Sequence, residues 1–549
     1  MKKGHIMRFI GARKSYSTYA KTGLLGLALL SLASCSSGDS STPVATSGGS
    51  AALQGPIAFV NNRGIGSQNT LSVVGTDSQG NLKIVSTMGT AGEFENNALG
   101  DMQISSGEWV FVNLTAGNKI STIDPISGAT PIHEANLPTG TRPNHIYRDP
   151  TDGEVIWSMN DGDATNGNDS IFCGGVGTSV TVLHNSHIPT GGAPPTVVGT
   201  TCTLAAGHGV MAFSQPTVAD LTIPKYAVVT NEKGGQMAFL DNVEASPTYR
   251  SMVARLDLCT DAGQVALTPA GAACDSEAAT ALTVPFTANG SNPHGIRWSK
   301  SSGKIYSMQT KYLEIVEVDP KLIVLGPGDN KPAITRRLSL AGTPYASYGI
   351  TPDGRFLFLR GSDITTDPNH IIGKLAVVDL AAAGALAITP LPDLADVVPS
   401  TFKFTPDGQR MYLLASDTAT GNAAQQAAQR KNRLFVFNPS TFPVASQLAE
   451  ITLLAAAGHN FDVSVQGAGQ ATAVLVSNGT AGSTGSVSLI NANHQITGSL
   501  LVGLNPGAVM FYSPGVAVAG NQATSSLTGG AAAVPSVLPE RLDDHGMPE

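Results

Sequence analysis

The stretch Tyr348-Gly-Ile-Thr-Pro352-Asp353-Gly354-Arg-Phe-Leu-Phe-Leu359 returns as Phe402-Lys-Phe-Thr-Pro406-Asp407-Gly408-Gln-Arg-Met-Tyr-Leu413. This repeat constrains the chain more than any other feature. Each copy reads as a hairpin. An apolar strand enters, Pro-Asp-Gly supplies a fixed φ, a turn-forming carboxylate and a positive-φ residue, and an alternating strand leaves. Weaker copies occur at Arg148-Asp-Pro-Thr-Asp-Gly153 and Trp298-Ser-Lys-Ser-Ser-Gly303, each followed by a β-rich run.

A second element follows at a regular distance: Lys119-Ile-Ser-Thr-Ile-Asp124, Leu313-Glu-Ile-Val-Glu-Val-Asp319, Lys374-Leu-Ala-Val-Val-Asp379 and Arg433-Leu-Phe-Val-Phe-Asn438. These are short strands stopped by Asp or Asn, often with Pro behind. A fourth strand, such as Ala333-Ile-Thr-Arg-Arg-Leu-Ser-Leu340, leads into the next unit. Four antiparallel strands at a period of roughly 50 residues predict an all-β chain folded as one β-propeller over residues 55–515. Inner strands start near Asp101, His145, His208, His294, Tyr348, Phe402, His459 and Gly507, which gives eight blades. Seven is the alternative if one irregular unit within 145–290 is miscounted. Strands at 55–61, 70–76 and 82–88 lack an inner partner. The segment from Gly507 is predicted to supply it, pairing the two chain ends and removing two sheet edges.

Composition fits this reading. Only 13% of residues are charged, while Gly (61) and Pro (33) are abundant, as expected of many turns and few solvated faces. The N-terminus carries a different signal. Lys2, Lys3, Arg8, Arg13, Lys14 and Lys21 precede the apolar run 24–30, which is too short to span a bilayer but suits a secretory signal. Residues 1–34 therefore read as a signal peptide. Leu32-Ala33-Ser34-Cys35 resembles the bacterial lipobox, which implies a lipid on Cys35 and a membrane anchored through it. By resemblance to Gram-negative sorting, Ser36-Ser37 favours the outer membrane, facing periplasm or surface. Residues 35–54 read as the lipidated cysteine with a Ser/Gly tether, and 516–549 as a low-complexity tail. Removing the leader leaves 26 basic against 40 acidic residues, a net charge of −14. Such a surface repels phosphate backbones, so nucleic acid is not an expected partner.

Export also explains the cysteines. Cys173, Cys202, Cys259 and Cys274 form an even set in an oxidising compartment, with three pairings open. Cys173–Cys202 and Cys259–Cys274 are favoured, because each pair brackets a Gly/Ala/Pro-rich loop. A CxxC metal knuckle is absent, as is a CxxCH site for covalent c-type haem.

Val110-Phe-Val-Asn113 with Gly117-Asn-Lys-Ile-Ser-Thr-Ile-Asp124, and Ala227-Val-Val-Thr-Asn231 with Gly235-Gln-Met-Ala-Phe-Leu-Asp241, resemble the Tyr-Val-Thr-Asn (YVTN) and cytochrome-d1-like propeller repeat. The resemblance implies architecture. It leaves activity open, since that superfamily contains lactonase-like, nitrite-reductase-like and surface-protein members.

Four of the ten histidines beyond the leader fall at inner-strand starts: His145, His208, His294 and His459. Matching positions in successive blades form a ring around a channel, and four imidazoles there are candidate ligands for copper or zinc. Nitrous-oxide reductase, another propeller, is similar in taking metal ligands from inner strands, although its full histidine set is not matched and its second copper domain is missing. The alternative is a ring of histidines that bond neighbouring carbonyls and fix the blade junctions. Two weaker candidates are His184 with His187, spaced for one side of a helix, and the oxygen-rich run from Asn160 to Asp169, a candidate calcium loop without EF-hand spacing. GxSxG, HExxH and P-loop motifs are absent.

The functional expectation is a lipid-anchored envelope module that binds a protein, glycan or small-molecule ligand, with a histidine-lined funnel. The enzyme alternatives are a metal-dependent periplasmic oxidoreductase and a lactonase-like hydrolase, the latter drawing on Asp101, Arg142, Arg148, Arg297 and the histidines.

Overall fold

In a computed structural model, the described residues are 54–512 except 65–68, 78–80, 91–92, 95–98, 107, 125–131, 163–172, 174–177, 185–192, 206, 259–281, 283–290, 329, 406, 455–460, 467–469 and 480–482. The candidates Cys35, His187, His459, Cys259 with Cys274, and residues 163–169 of the oxygen-rich run lie outside the described residues.

The strands assemble into eight antiparallel sheets, the blades of an eight-bladed β-propeller. From the inner strand outward, blade 1 is Leu99–Ile104, Val110–Leu114, Lys119–Ile123 and Ile132–Asn136. Blade 2 is Pro143–Arg148, Ile156–Asn160, Ser179–His184 and Thr196–Cys202. Blade 3 runs from Met211–Ser214 to Met252–Asp257, and blade 4 from Pro293–Ser299 to Ile334–Ser339. Blade 5 starts at Tyr345–Ile350 and splits its outer strand into Thr389–Pro390 and Leu394–Ala395. Blade 6 spans Pro399–Phe404 to Ser446–Thr452, and blade 7 spans Phe461–Gln466 to Ile496–Leu504. Blade 8 takes its inner strand, Pro506–Tyr512, from the far end of the chain and adds Gln54–Asn62, Thr70–Thr76 and Leu82–Met88. The count is thus eight rather than seven, and the expected closure by terminal strands is present.

The core lies between blades. Eight apolar clusters each bridge one pair of neighbours, and together they cover every junction of the ring. Alternating side chains of one strand serve the two sides. Phe59 packs toward blade 1, while Ala58 and Val60 pack toward blade 7. Val110, Val112 and Leu114 likewise face blade 8, while Trp109 and Phe111 face blade 2. A blade buried on both faces calls for nearly unbroken apolar strands, which is why so few residues are charged. Each fully buried aromatic contributes roughly 1.5–3 kcal/mol by leaving water.

Cys173 and Cys202 are joined, with Cα atoms 5.2 Å apart. Among the described residues no helix is long and apolar enough to cross a membrane.

Candidate functional site

The inner strands begin in a recurring way. A residue with positive φ (Arg142 at 48°, Asn292 at 56°, Asn505 at 47°) precedes Pro143, Pro293 or Pro506. In blade 3 the pairing equivalent of Arg142 and Asn292 is His208 itself, whose carbonyl accepts from Glu232 N–H as theirs accept from Asp161 and Thr310, and Gly207 at 100° stands one residue earlier. Pro143 pairs with Asn160 and Pro293 with Gln309, and a bulge follows each pair. Leu99 pairs with Leu114 ahead of a similar bulge in blade 1.

This local geometry corrects the expected alignment. His208 holds the place of Arg142 and Asn292, His294 stands two residues beyond that place and His145 three, so the three do not share one repeat position. Asp101, two residues beyond Leu99, keeps the place expected for it as the equivalent of His145.

The stagger brings side chains together. Asp101 Oδ2 accepts from His145 Nδ1 at 2.6 Å, and Asp161 Oδ2 accepts from His208 Nδ1 at 2.8 Å. The two Nε2 atoms then meet at 2.9 Å. Asn144 also donates to Asp161 at 2.8 Å. His294 stacks on His208 with ring centroids 5.4 Å apart. The His145 side chain is 8% exposed and that of His208 24%, so His208 is the more open of the two rings.

Asp161 sits one residue past a second strand, and Glu232 and Arg63 hold the corresponding places in blades 3 and 8. A buried Asn fixes two of these exits. Asn160 donates to Ser179 and Thr181, and Asn62 to Thr70 and Ser72 on the adjoining strand. Glu232 gives its backbone N–H to the His208 carbonyl at 2.7 Å and accepts from the Asn292 amide at 2.9 Å. Arg63 keeps solvent contact although protein surrounds it, as a residue on a narrow channel wall does. That crowding lowers its pKa, and the Asp101 charge opposes the shift.

The electrostatics follow from the pairing. Burial alone raises the Asp161 pKa, yet His208, His145 and Asn144 together pull it below the usual carboxylate value. Burial alone lowers the His208 pKa, but the bond to Asp161 and the charges of Asp161, Glu232 and Asp101 hold it above the usual imidazole value. Each ionised carboxylate takes an Nδ1–H, so a single proton lies between the two Nε2 atoms.

The other candidates separate from this cluster. His184 ends a strand and approaches Asp152 Oδ2 at 3.9 Å. Asp161, read as part of a calcium loop, is committed to His208. Arg148 donates to the Ile104 carbonyl, and Arg297 donates to its neighbour's carbonyl and lies 6.0 Å from the Tyr348 ring. Tyr348 donates its hydroxyl to the Tyr306 carbonyl at 2.8 Å. Among the described residues, no group of three or more His, Cys, Asp and Glu side chains is arranged to hold a metal ion.

Glu232 and Arg63 were missed at the sequence level, and Asp161 was read only as part of a calcium loop. Their signal is the residue that follows the strand-ending Asn: Asn160-Asp161, Asn231-Glu232 and Asn62-Arg63.

No protein-family model and no curated protein matches this chain. Among solved structures it is similar to a putative 6-phosphogluconolactonase from Bacteroides uniformis, at 12% identity and a TM-score of 0.43, covering 84% of this chain and 100% of that one. It is also similar to a periplasmic gluconolactonase from Pseudomonas aeruginosa, at 13% identity and a TM-score of 0.44, covering 83% and 99%. A dihydro-heme d1 dehydrogenase aligns at 13% identity and a TM-score of 0.47, covering 83% of this chain and 74% of that one.

Proposed function

We propose that this chain is a cell-envelope binding module, anchored through a lipid on Cys35, that takes a small ligand at the channel mouth between His145 and His208. The observation that carries the reading is the meeting of two carboxylate-held imidazoles, Nε2 to Nε2, at 2.9 Å. Two polar rings aimed at one point from separate blades, with their far nitrogens fixed, form a preorganised recognition spot. The signal-like leader supports export, and so does the Cys173–Cys202 bridge, which persists in oxidising compartments.

The arrangement favours binding over hydrolysis. A general base needs a free nitrogen within reach of water, whereas here the nitrogen of each ring that a base would use is turned to the other imidazole.

A thermal-shift screen of the full chain against metals, sugar acids and lactones tests the reading. The expected result is a ligand that stabilises the wild type but neither His145→Ala nor His208→Ala. A hit that survives both substitutions places the site elsewhere, and a panel with no hit overturns the reading. Metabolic labelling with a fatty acid, lost in Cys35→Ala, checks the anchor.

A further inference from the structure

We infer that the ligand of this site is one divalent transition metal, copper(II) before zinc, held by His145 Nε2 and His208 Nε2 with water completing its coordination. This rests on the reading of the channel mouth as a ligand site and names what fills it.

Three features of the molecule carry the inference. The first is donor orientation. A histidine that binds metal through Nε2 is fixed by an acceptor on Nδ1, which selects the tautomer and aims the lone pair. Both rings have that acceptor as a carboxylate, Asp101 on one and Asp161 on the other. Imidazoles that only lock blade junctions would turn a nitrogen toward backbone carbonyls, whereas these turn both Nε2 atoms toward each other.

The second feature is separation. Two nitrogens bound at about 2.0 Å to one ion stand about 2.8 Å apart when they are cis in a square-based geometry, and about 3.3 Å apart at a tetrahedral angle. The observed 2.9 Å matches the square-based case, which is the preference of copper(II). The order of divalent affinities for nitrogen donors runs the same way.

The third feature is charge. Asp101 and Asp161 each lie against one ring of the pair, and Glu232 is bonded through its backbone to His208, so carboxylates gather about the two imidazoles and favour a cation between them. With only two protein donors, water keeps the other positions, so the site is open to a further small ligand from the channel.

The test is copper titration of the metal-stripped, untagged full chain, read by calorimetry and electron paramagnetic resonance, with zinc in parallel. The expected result is one copper per chain with hyperfine coupling to two nitrogens. Affinity should fall at least 100-fold in His145→Ala and in His208→Asn, and 10–100-fold in Asp101→Asn or Asp161→Asn. His294→Ala should retain two-nitrogen coupling. Absence of saturable copper binding, or binding that both histidine variants retain, overturns the inference. Zinc bound more tightly than copper overturns the square-based assignment. An organic ligand that stabilises the wild type but not His145→Ala, on protein that takes no copper, removes the metal and leaves the binding reading standing.

Discussion

Phe59 and Met510, near opposite ends of the described chain, are direct partners across one β-ladder and share the apolar cluster between blades 8 and 1. The ring is therefore shut by side-chain packing as well as by backbone pairing. Phe59 is fully buried, so Phe59→Ala should destabilise the chain by about 3–5 kcal/mol. Because the two residues are in one cluster, the double variant Phe59→Ala/Met510→Ala should depart from additivity by about 0.5–3 kcal/mol. Denaturant unfolding of the four proteins measures this. Strictly additive losses would mean that the terminal strand merely lies against the ring.

The neighbours of His208 raise its pKa against the effect of burial. In Asp161→Asn the hydrogen-bonding carboxylate is gone while burial stays, so the His208 pKa should fall from above the usual imidazole value. Glu232 and Asp101 remain and limit the fall. The sign for stability follows. A raised folded-state pKa contributes stability that is complete below the ordinary imidazole value, about 6.5, and is lost as pH rises through the folded value. The wild type should thus lose its margin over Asp161→Asn as pH climbs from about 6.5 through the raised folded-state value. Nitrogen NMR of the imidazole ring reads the pKa directly, and an unchanged value would exclude Asp161 as its cause.

Gly209, next to His208, is a site of close approach. An added Cβ would stand 2.1 Å from the Thr230 carbonyl oxygen and 2.5 Å from Met159 Cε. The methionine can swing away, but the carbonyl cannot, because Thr230 N–H to Val210 O and Glu232 N–H to His208 O pin the two segments. Gly209→Ala should cost about 1–3 kcal/mol and weaken ligand binding at the mouth by displacing His208. Urea unfolding with a parallel copper titration checks both effects.

The architecture was legible because it rests on local chemistry repeated along the chain. Thr-Pro-Asp-Gly turns and Asp- or Asn-stopped strands declare one blade after another, and the unpaired strand at 55–61 announces its partner near Gly507. The site was legible only in part. His145 and His208 stand out as rare residues at strand starts, but their offset comes from a bulge after Pro143 that the inner strand pair of blade 3 lacks, and a bulge leaves no reliable mark in sequence. Asp101 was visible as the blade 1 counterpart of the histidines, while its role as the hydrogen-bond acceptor of His145 was not. Asp161 lay hidden in a run of polar residues that reads equally well as a loop. Its partnership with His208 is made across the junction of blades 2 and 3, which no short window contains.

The Cys173–Cys202 bridge closes a loop of 29 residues of separation. On the chain-entropy account, such a loop restricts the unfolded state by about 3.5 kcal/mol. The double variant Cys173→Ala/Cys202→Ala should lose close to that amount and become less sensitive to dithiothreitol than the wild type. Equal sensitivity of both proteins would assign the redox response to other cysteines.

Glu317 in blade 4 gathers a buried network away from the channel. It accepts from the Tyr306 hydroxyl at 2.6 Å and from Thr335 at 2.7 Å, and it holds the Arg336 guanidinium. Burial alone would raise its pKa, but Arg336, Tyr306 and Thr335 outweigh burial and lower it. The carboxylate is nearly inaccessible, so Glu317→Gln leaves a cation and a hydroxyl without their charged acceptor, at a cost of about 3 kcal/mol near neutral pH. A depressed folded-state pKa contributes stability present above the ordinary value of about 4.3 and lost as pH falls through the folded value. The stability gap between wild type and Glu317→Gln should therefore be full at pH 7 and narrow steadily below pH 4 (about the ordinary carboxylate range), as seen in urea unfolding across that interval. A gap of constant size would show that shape, rather than the charge on Glu317, is what the network uses.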